Sequence, residues 1–560
     1  MRGIRSKGAQ AAIRVLGYLS ARVPRRLVRR RRFRVRALLQ AARVASLVLA
    51  PRRTRVRNVA RFLRERSVEP PHHRLVRQVF LRALGGVYLI AFTSLGKQVK
   101  GLYGSRGVLP MNELFSSKRL AALGRERFQL VPSLFWVDAS DETLVRGIRA
   151  GQVLSVAVMS GIAPQASLTA LWALYLSYTA AGREFLSFQW DVLLTEMGLL
   201  GILTAPAGLR PGAGRHEPSA AQVALWRALV FRLYFGAGVA KLKSGDKTWR
   251  QLTACTHYYE TAPLPTRGGW YAHHLPQRLQ KLSTLSVLVL ETVGPFLAFA
   301  PRRLRLAAFG FFSGLQGLII ATGNYGFFNV QSLVLGLWLL DDEALGRVLP
   351  RSRPPPTEPR PVWRTVGAWL PAAPLLALGV NELVSRLDRS LTPRWLSWLE
   401  MRVRPLRIVN PYGLFAVMTV RRPEISLEGS DDGETWREYT FRYKVSDPHR
   451  APRQVAPHQP RLDWQMWFAA LGSPPSWMLA LVVRLLEGSP EVLKLFARNP
   501  FPEHPPRYMR AVLHDYRMTD LETYRRTGAW WKRERLGLYL PPLSFAPSGS
   551  RSLLQWHAGE

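Results

Sequence analysis

The sequence holds one cysteine, Cys255, in 560 residues. A single thiol excludes a disulfide within the chain and any zinc site built on several cysteines. Acidic residues are scarce: 37 Asp and Glu face 79 Lys and Arg, leaving a net charge of +42. The stretch after Arg402 lacks a nucleotide-binding loop, a catalytic triad and a zinc motif, so it carries no ready enzyme chemistry. His273 and His274 are adjacent, and a metal there would need ligands from elsewhere. An interfacial belt of aromatics and histidines is the simpler account. Neither a metal nor a cofactor is expected.

What is present is unevenly spread. Residues 1–77 carry 23 Lys or Arg and only two acids, Glu65 and Glu69. The run from Arg25 to Arg36 has no folded recognition motif beside it, so attraction to acidic lipid head groups fits better than nucleic acid. Residues 1–77 are expected to form a basic, disordered extension.

Apolar segments follow from about Val79 to Leu383. A span needs roughly 20 mostly apolar residues. On that measure residues 78–390 read as a polytopic helical membrane bundle of about nine spans, within a range of seven to eleven. Arg82 lies near the end of the first span, where it can snorkel. Arginines before that span place the N-terminus in the cytoplasm, and an odd number of spans places the C-terminal region outside. Asp191, Glu196 and Arg232 fall inside apolar spans. Ionisable groups at that depth face a bundle interior or a watery cavity, and they are read as polar anchors. Asp191 and Glu196 are five residues apart, about 140° around a helix, so they do not form a tight carboxylate pair.

From about Arg402 the pattern changes to short strands and turns. EISLEGS and WREYTFRYK flank a turn at Gly433 and read as a hairpin. VLHDYRMTD and RERLGLYLPP read as strands; MLALVVRLLEG and EVLKLFA read as helical. Residues 400–545 are therefore expected to form a globular α+β domain. Within it, HQPRLDWQMWFAALG (His458 to Gly472) places Trp464, Trp467, Phe468 and Leu471 at helical spacing, after Pro460 and before Gly472. So much aromatic surface must be buried or bound. The expectation is a short amphipathic helix docked on its own domain. Trp467, Trp464 and Arg461 are candidates for a surface that also receives a partner, Trp467 foremost, with Trp464 and Phe468 serving the fold.

Five blocks resemble the lipase maturation factor family, in that family's order: GLYGSRGVLP, FQWDVLLTEMGLL, NPYGLFAVMT, EISLEGSDDGETWREYTFRYK and PHQPRLDWQMWFAALG. The resemblance implies a multi-pass membrane protein that assists folding and assembly of secreted proteins, lipases above all. It implies no cofactor. The membrane would be that of the endoplasmic reticulum for animal members of the family, or the cell membrane for a bacterial chain. Partners would be secreted clients and the lipid bilayer, with no nucleic acid.

A shorter resemblance covers FRLYFGAGVAKLKSGDKTW, from Phe231 to Trp249. It is similar to the pattern around the base lysine of vitamin K-dependent carboxylases and places Lys241 on that lysine. A desolvated lysine can act as a base. Carboxylase-like chemistry at Lys241 is thus the alternative to a non-enzymatic maturation factor.

Overall fold

Glycine, proline and capping side chains punctuate the apolar runs and set the helix ends. The computed structural model describes residues 72–349, 358–359, 361–546 and 554–556. The basic extension up to residue 71 and most of the proline-rich linker before Val362 lie outside the described residues. The main helices are α1 (Arg74–Gly96), α2 (Asp141–Ser160), α3 (Pro164–Ala181), α4 (Gln189–Thr204), α5 (Ala220–Lys243), α6 (Gln277–Thr292), α7 (Arg302–Thr322), α8 (Phe328–Gly336) and α9 (Val362–Leu387). The Ser140 hydroxyl accepts from Thr143 N to start α2, and Gly161, at a φ of +73°, ends it. Only glycine takes that left-handed conformation without strain. Pro164 then opens α3. Ser219 and Gln222 cap α5 reciprocally.

Helix α1 begins at Arg74, so the basic stretch does not run to residue 77 as an extension. Arg74 and Arg77 are buried, and both donate to carbonyls of the loop at Ala213 to His216.

Among the described residues four helices are long and apolar enough to cross a membrane: α1, α5, α7 and α9. The expected nine are not all met on length and composition. Helices α4 and α6 have 16 residues each, about 24 Å against a hydrocarbon core of about 30 Å. Helix α2 carries Asp141, Glu142, Arg146 and Arg149.

The later chain mixes strands and helices. Strands β1 (Arg422–Ser430), β2 (Arg437–Glu438), β5 (Tyr508–Met518), β6 (Trp531–Phe545) and β7 (Leu554–Trp556) make an antiparallel sheet in the order β2-β1-β5-β6-β7; β3 (Thr440–Phe441) pairs with β4 (Phe496–Arg498). The hairpin at Gly433 forms, with φ at +85°. EVLKLFA departs from expectation: one helical turn, Pro490–Leu493, gives way to β4. Helices α10 (Arg461–Ala469) and α11 (Ser476–Leu486) lie between β3 and β4. One apolar core runs from Leu75 on α1 to Leu543 on β6, so the helical and the stranded regions are packed together.

Candidate functional site

The site is a set of buried polar joints between the helical region and two segments of the C-terminal chain. Helix α4 is the post on which it is built. With Asp191 and Glu196 five residues apart, the helix aims the two carboxylates at different neighbours.

Asp191 faces α10. The fully buried Arg461 guanidinium donates to both of its oxygens at 2.8 Å and to Phe185 O at 2.6 Å. Tyr175 Oη donates to the same carboxylate at 2.5 Å. Burial alone would pull the Arg461 pKa down; the Asp191 carboxylate outweighs that and holds the guanidinium charged. A bidentate fork of this kind fixes direction as well as charge.

Glu196 faces α5 and the segment Asn410 to Gly413. Arg232 on α5 donates to its two oxygens at 2.7 and 3.2 Å and to Asn410 O at 3.0 Å. Tyr412 Oη donates to Glu196 at 2.7 Å and Asn410 Nδ2 at 3.1 Å. The backbone here is inserted tightly: a Cβ on Gly236 would lie 2.7 Å from Tyr412 O.

A third joint ties α1 to the approach to α10. Ser94 Oγ lies 2.9 Å from His458 Nδ1 and accepts from Gln459 N at 2.9 Å. Gln98 donates to Gln459 O at 2.8 Å and accepts from Arg461 N at 2.8 Å. Burial first, then the positive charges of Lys97 and Arg461, push the His458 pKa down to about 4. The imidazole is therefore neutral near pH 7.

The helix expected between Pro460 and Gly472 is present over residues 461–469, and it docks on the helical region as well as on its own domain, where Tyr539 Oη donates to Ala469 O at 2.6 Å. The cause of the first contact is the partner of Arg461, which sits on α4. Trp464 packs 4.8 Å from Trp190 and 5.6 Å from Tyr325, ring centre to ring centre. Trp467 donates from Nε1 to Thr261 O at 3.1 Å. Both tryptophans are buried, whereas Phe468 is 46% and Leu471 43% exposed. The four apolar positions thus do not share one buried face. Asp463 does not pair with Arg461; it accepts from Tyr443 N and Lys444 N at 2.9 Å each, tying α10 to the strand region.

Sequence reasoning assigned no role to Ser94, Gln98, Asn410 or Tyr412. Asn410 and Tyr412 stood inside a quoted motif, which was the available signal. A buried set on β1 was missed as well: Arg422 and Lys444 flank Glu424 at 2.7 and 2.9 Å.

Lys241 is buried beside Glu291 at 2.7 Å and donates to Leu414 O at 2.9 Å. It is a fourth joint between α5 and the C-terminal chain. Among the described residues no cluster of three or more His, Cys, Asp or Glu could hold a metal ion.

Residues 75–347 match the family described as lipase maturation factor transmembrane domain, and residues 408–541 the lipase maturation factor C-terminal domain. Lipase maturation factor 2 of Homo sapiens is 35% identical, the match covering 86% of this chain and 84% of the human protein. Lipase maturation factor 2 of Gallus gallus is also 35% identical over 87% of this chain and 84% of its own length. Lipase maturation factor 1 of Bos taurus is 34% identical over 84% and 89%. No solved structure matches significantly. All four joints fall on segments covered by these matches, and the chain belongs to the lipase maturation factor family.

Proposed function

We propose that this protein is a membrane-embedded maturation factor that assists the folding and assembly of secreted proteins, lipases above all. Membership of a family named for lipase maturation carries the reading. The family name describes no reaction, and the ion pairing of Lys241 with Glu291 supports a structural lysine rather than a base.

The contacts support nine crossings, the shorter helices included, in alternating directions. Gly85 and Gly96 of α1 approach Ser155 and Ile148 of α2 in reversed order. Tyr175 of α3 meets Asp191, while Leu168 approaches Gly201. Glu196 and Thr204 of α4 meet Arg232 and Trp226 of α5. Phe231 and Phe235 of α5 meet Phe296 beyond α6 edge to face, and Gly238 approaches Glu291. Gln316 and Arg305 of α7 meet Asn329 on α8 and Leu339 beyond it. Helix α9 runs alongside α5, with Gly379 at Arg232 and Arg386 at Gly236. On this reading residues 78–390 form the membrane part and 400–545 a domain beyond the end of α1 marked by Ser94. With the arginine-rich start in the cytoplasm, that domain faces outward, to the cell exterior or the lumen.

On this reading the client surface lies at the exposed end of α10 and the turn after it. Arg461, Trp464 and Trp467 hold the helix in position, and Phe468 and Leu471 face solvent. The test compares a deletion strain with strains carrying Phe468→Ala and Leu471→Ala. The expected result is a loss of secreted lipase specific activity on deletion. The double variant should keep normal membrane abundance but lose client crosslinking. Normal lipase activity in the deletion strain would refute the lipase reading, and undiminished crosslinking in the variant would move the surface elsewhere.

A further inference from the structure

Four cations on or beside the α1–α2 pair, Arg82, Lys97, Arg149 and, from the loop after α4, Arg210, form no ion pair among the described residues. At one end a cavity of about 200 Å³ is lined by Gln78 and Arg82 of α1, Ser160 of α2, Pro164 of α3 and Arg210 of the loop after α4. At the other end a groove of about 280 Å³ is lined by Thr93, Gly96, Lys97, Arg149 and Gln152. Among the described residues no carboxylate or carbonyl accepts from Arg82, Arg210, Lys97 or Arg149. The nearby acids of α2 are engaged otherwise: Glu142 pairs with Arg146 at 2.6 Å, and Asp141 accepts from Ser105 N at 2.7 Å.

Between the two ends the surface is apolar. Val153, Val156 and Met159 of α2 are 69%, 49% and 39% exposed and share one face of the helix. On α1, a Cβ at Gly86 would meet nothing, so the surface there is open. Arg82 and Lys97 lie fifteen residues apart, about 22 Å along the helix. Side chains reaching outward from both ends bring their charges to about the 30 Å thickness of a hydrocarbon core. An unpaired cation at each boundary of a bilayer, with bare aliphatic surface between them, complements a phosphate joined to acyl chains.

We propose that the α1–α2 face retains anionic glycerophospholipid, one molecule in each leaflet, with a phosphate held by Arg82 and Arg210 at one end and by Lys97 and Arg149 at the other. This rests on the membrane reading above. It adds a ligand class and a site that the maturation role does not require.

The test uses the full chain, extracted from membranes and reconstituted with phosphatidylglycerol or phosphatidylcholine, then stripped in detergent and weighed by native mass spectrometry. Phosphatidylglycerol should stay bound through washes that remove phosphatidylcholine, with at least about a tenfold difference in apparent affinity. R82Q/R210Q and K97Q/R149Q should each lose about one of the two retained molecules, and the four substitutions together should lose both. R82K and K97R, which keep the charge, should retain lipid, and an unchanged melting temperature shows that the glutamine variants are folded. Equal retention of the two lipids, or full retention by the fourfold glutamine variant, would overturn the proposal. So would uptake of inorganic phosphate with no lipid bound, which would assign the cations to a free anion. A chain washed off membranes by alkaline carbonate would refute the membrane reading instead, an outcome recognisable before any lipid is weighed.

Discussion

Asp191 and Glu196 sit on one helix, each buried and each bound by an arginine, yet the two pairs differ in kind. Glu196 takes its cation from Arg232 on the adjacent α5, and the C-terminal chain adds the neutral Asn410 and Tyr412. Asp191 takes its cation from Arg461, 270 residues further along. The first pair is complete as a charge pair within the helical bundle. The second exists only when the bundle and the C-terminal region are joined. A buried charge is tolerated where its partner is held in place. At Asp191 that partner belongs to the other half of the molecule, and at Glu196 it does not.

The contrast can be broken by substitution, and the largest effect is expected at Asp191. Asp191→Ala leaves Arg461 charged, buried and unpaired, a loss of about 3–5 kcal/mol. Membrane abundance and thermal unfolding should both fall, and replacing Arg461 by Met in the same chain should recover part of the loss. Full abundance of the single variant would mean that the two regions do not depend on this pair. Tyr412→Phe removes one hydrogen bond to a carboxylate that keeps its arginine, so about 1.5–3 kcal/mol is expected from unfolding measurements. A loss as large as that of Asp191→Ala would erase the distinction between the two joints.

Lys241→Arg keeps the charge opposite Glu291 and adds bulk to a packed site, at a cost of about 1–3 kcal/mol. Client maturation should persist per molecule of protein. Its abolition at normal abundance would revive a base role for the lysine.

The most gradual effect is a pH slope. His458 is held neutral by its surroundings, with its pKa lowered from 6.5 to about 4. His514, on β5, is likewise lowered from 6.5 to about 4, first by burial and then by Arg533, Lys444 and Arg535. For a depressed histidine the unfolded chain binds the extra proton. The stabilisation is therefore complete above the unfolded pKa of 6.5 and is lost as pH falls towards about 4. Melting temperature recorded between neutral and acid pH should fall over that window, and His458→Gln should flatten part of the slope.

Apolar periodicity made α10 legible, along with the strands β1, β5 and β6 and the position of the first span. Local spacing does not carry the identity of a distant partner. Arg461, Asp463 and Gln465 are polar residues that local patterning leaves to water, yet all three are buried because α4, the segment just after β3 and the turn before α4 supply their partners. The same limit exchanged Trp467 and Phe468. Trp467 finds the carbonyl of Thr261 and turns inward, which leaves Phe468 outside. The polar joint at Asn410 and Tyr412 was hidden for a different reason: its segment has no regular structure, so neither helical nor strand periodicity marks it.

The long separation between Asp191 and Arg461 also has a meaning in time. A ribosome completes α4 well before it reaches Arg461. Throughout that interval the growing chain holds a carboxylate whose cation has not been made. A product cut short before Arg461 keeps that vacancy for good. The joint therefore distinguishes a finished chain from an unfinished one, and a cell that removes membrane proteins with unpaired buried charges has, in Asp191, a place to read the difference.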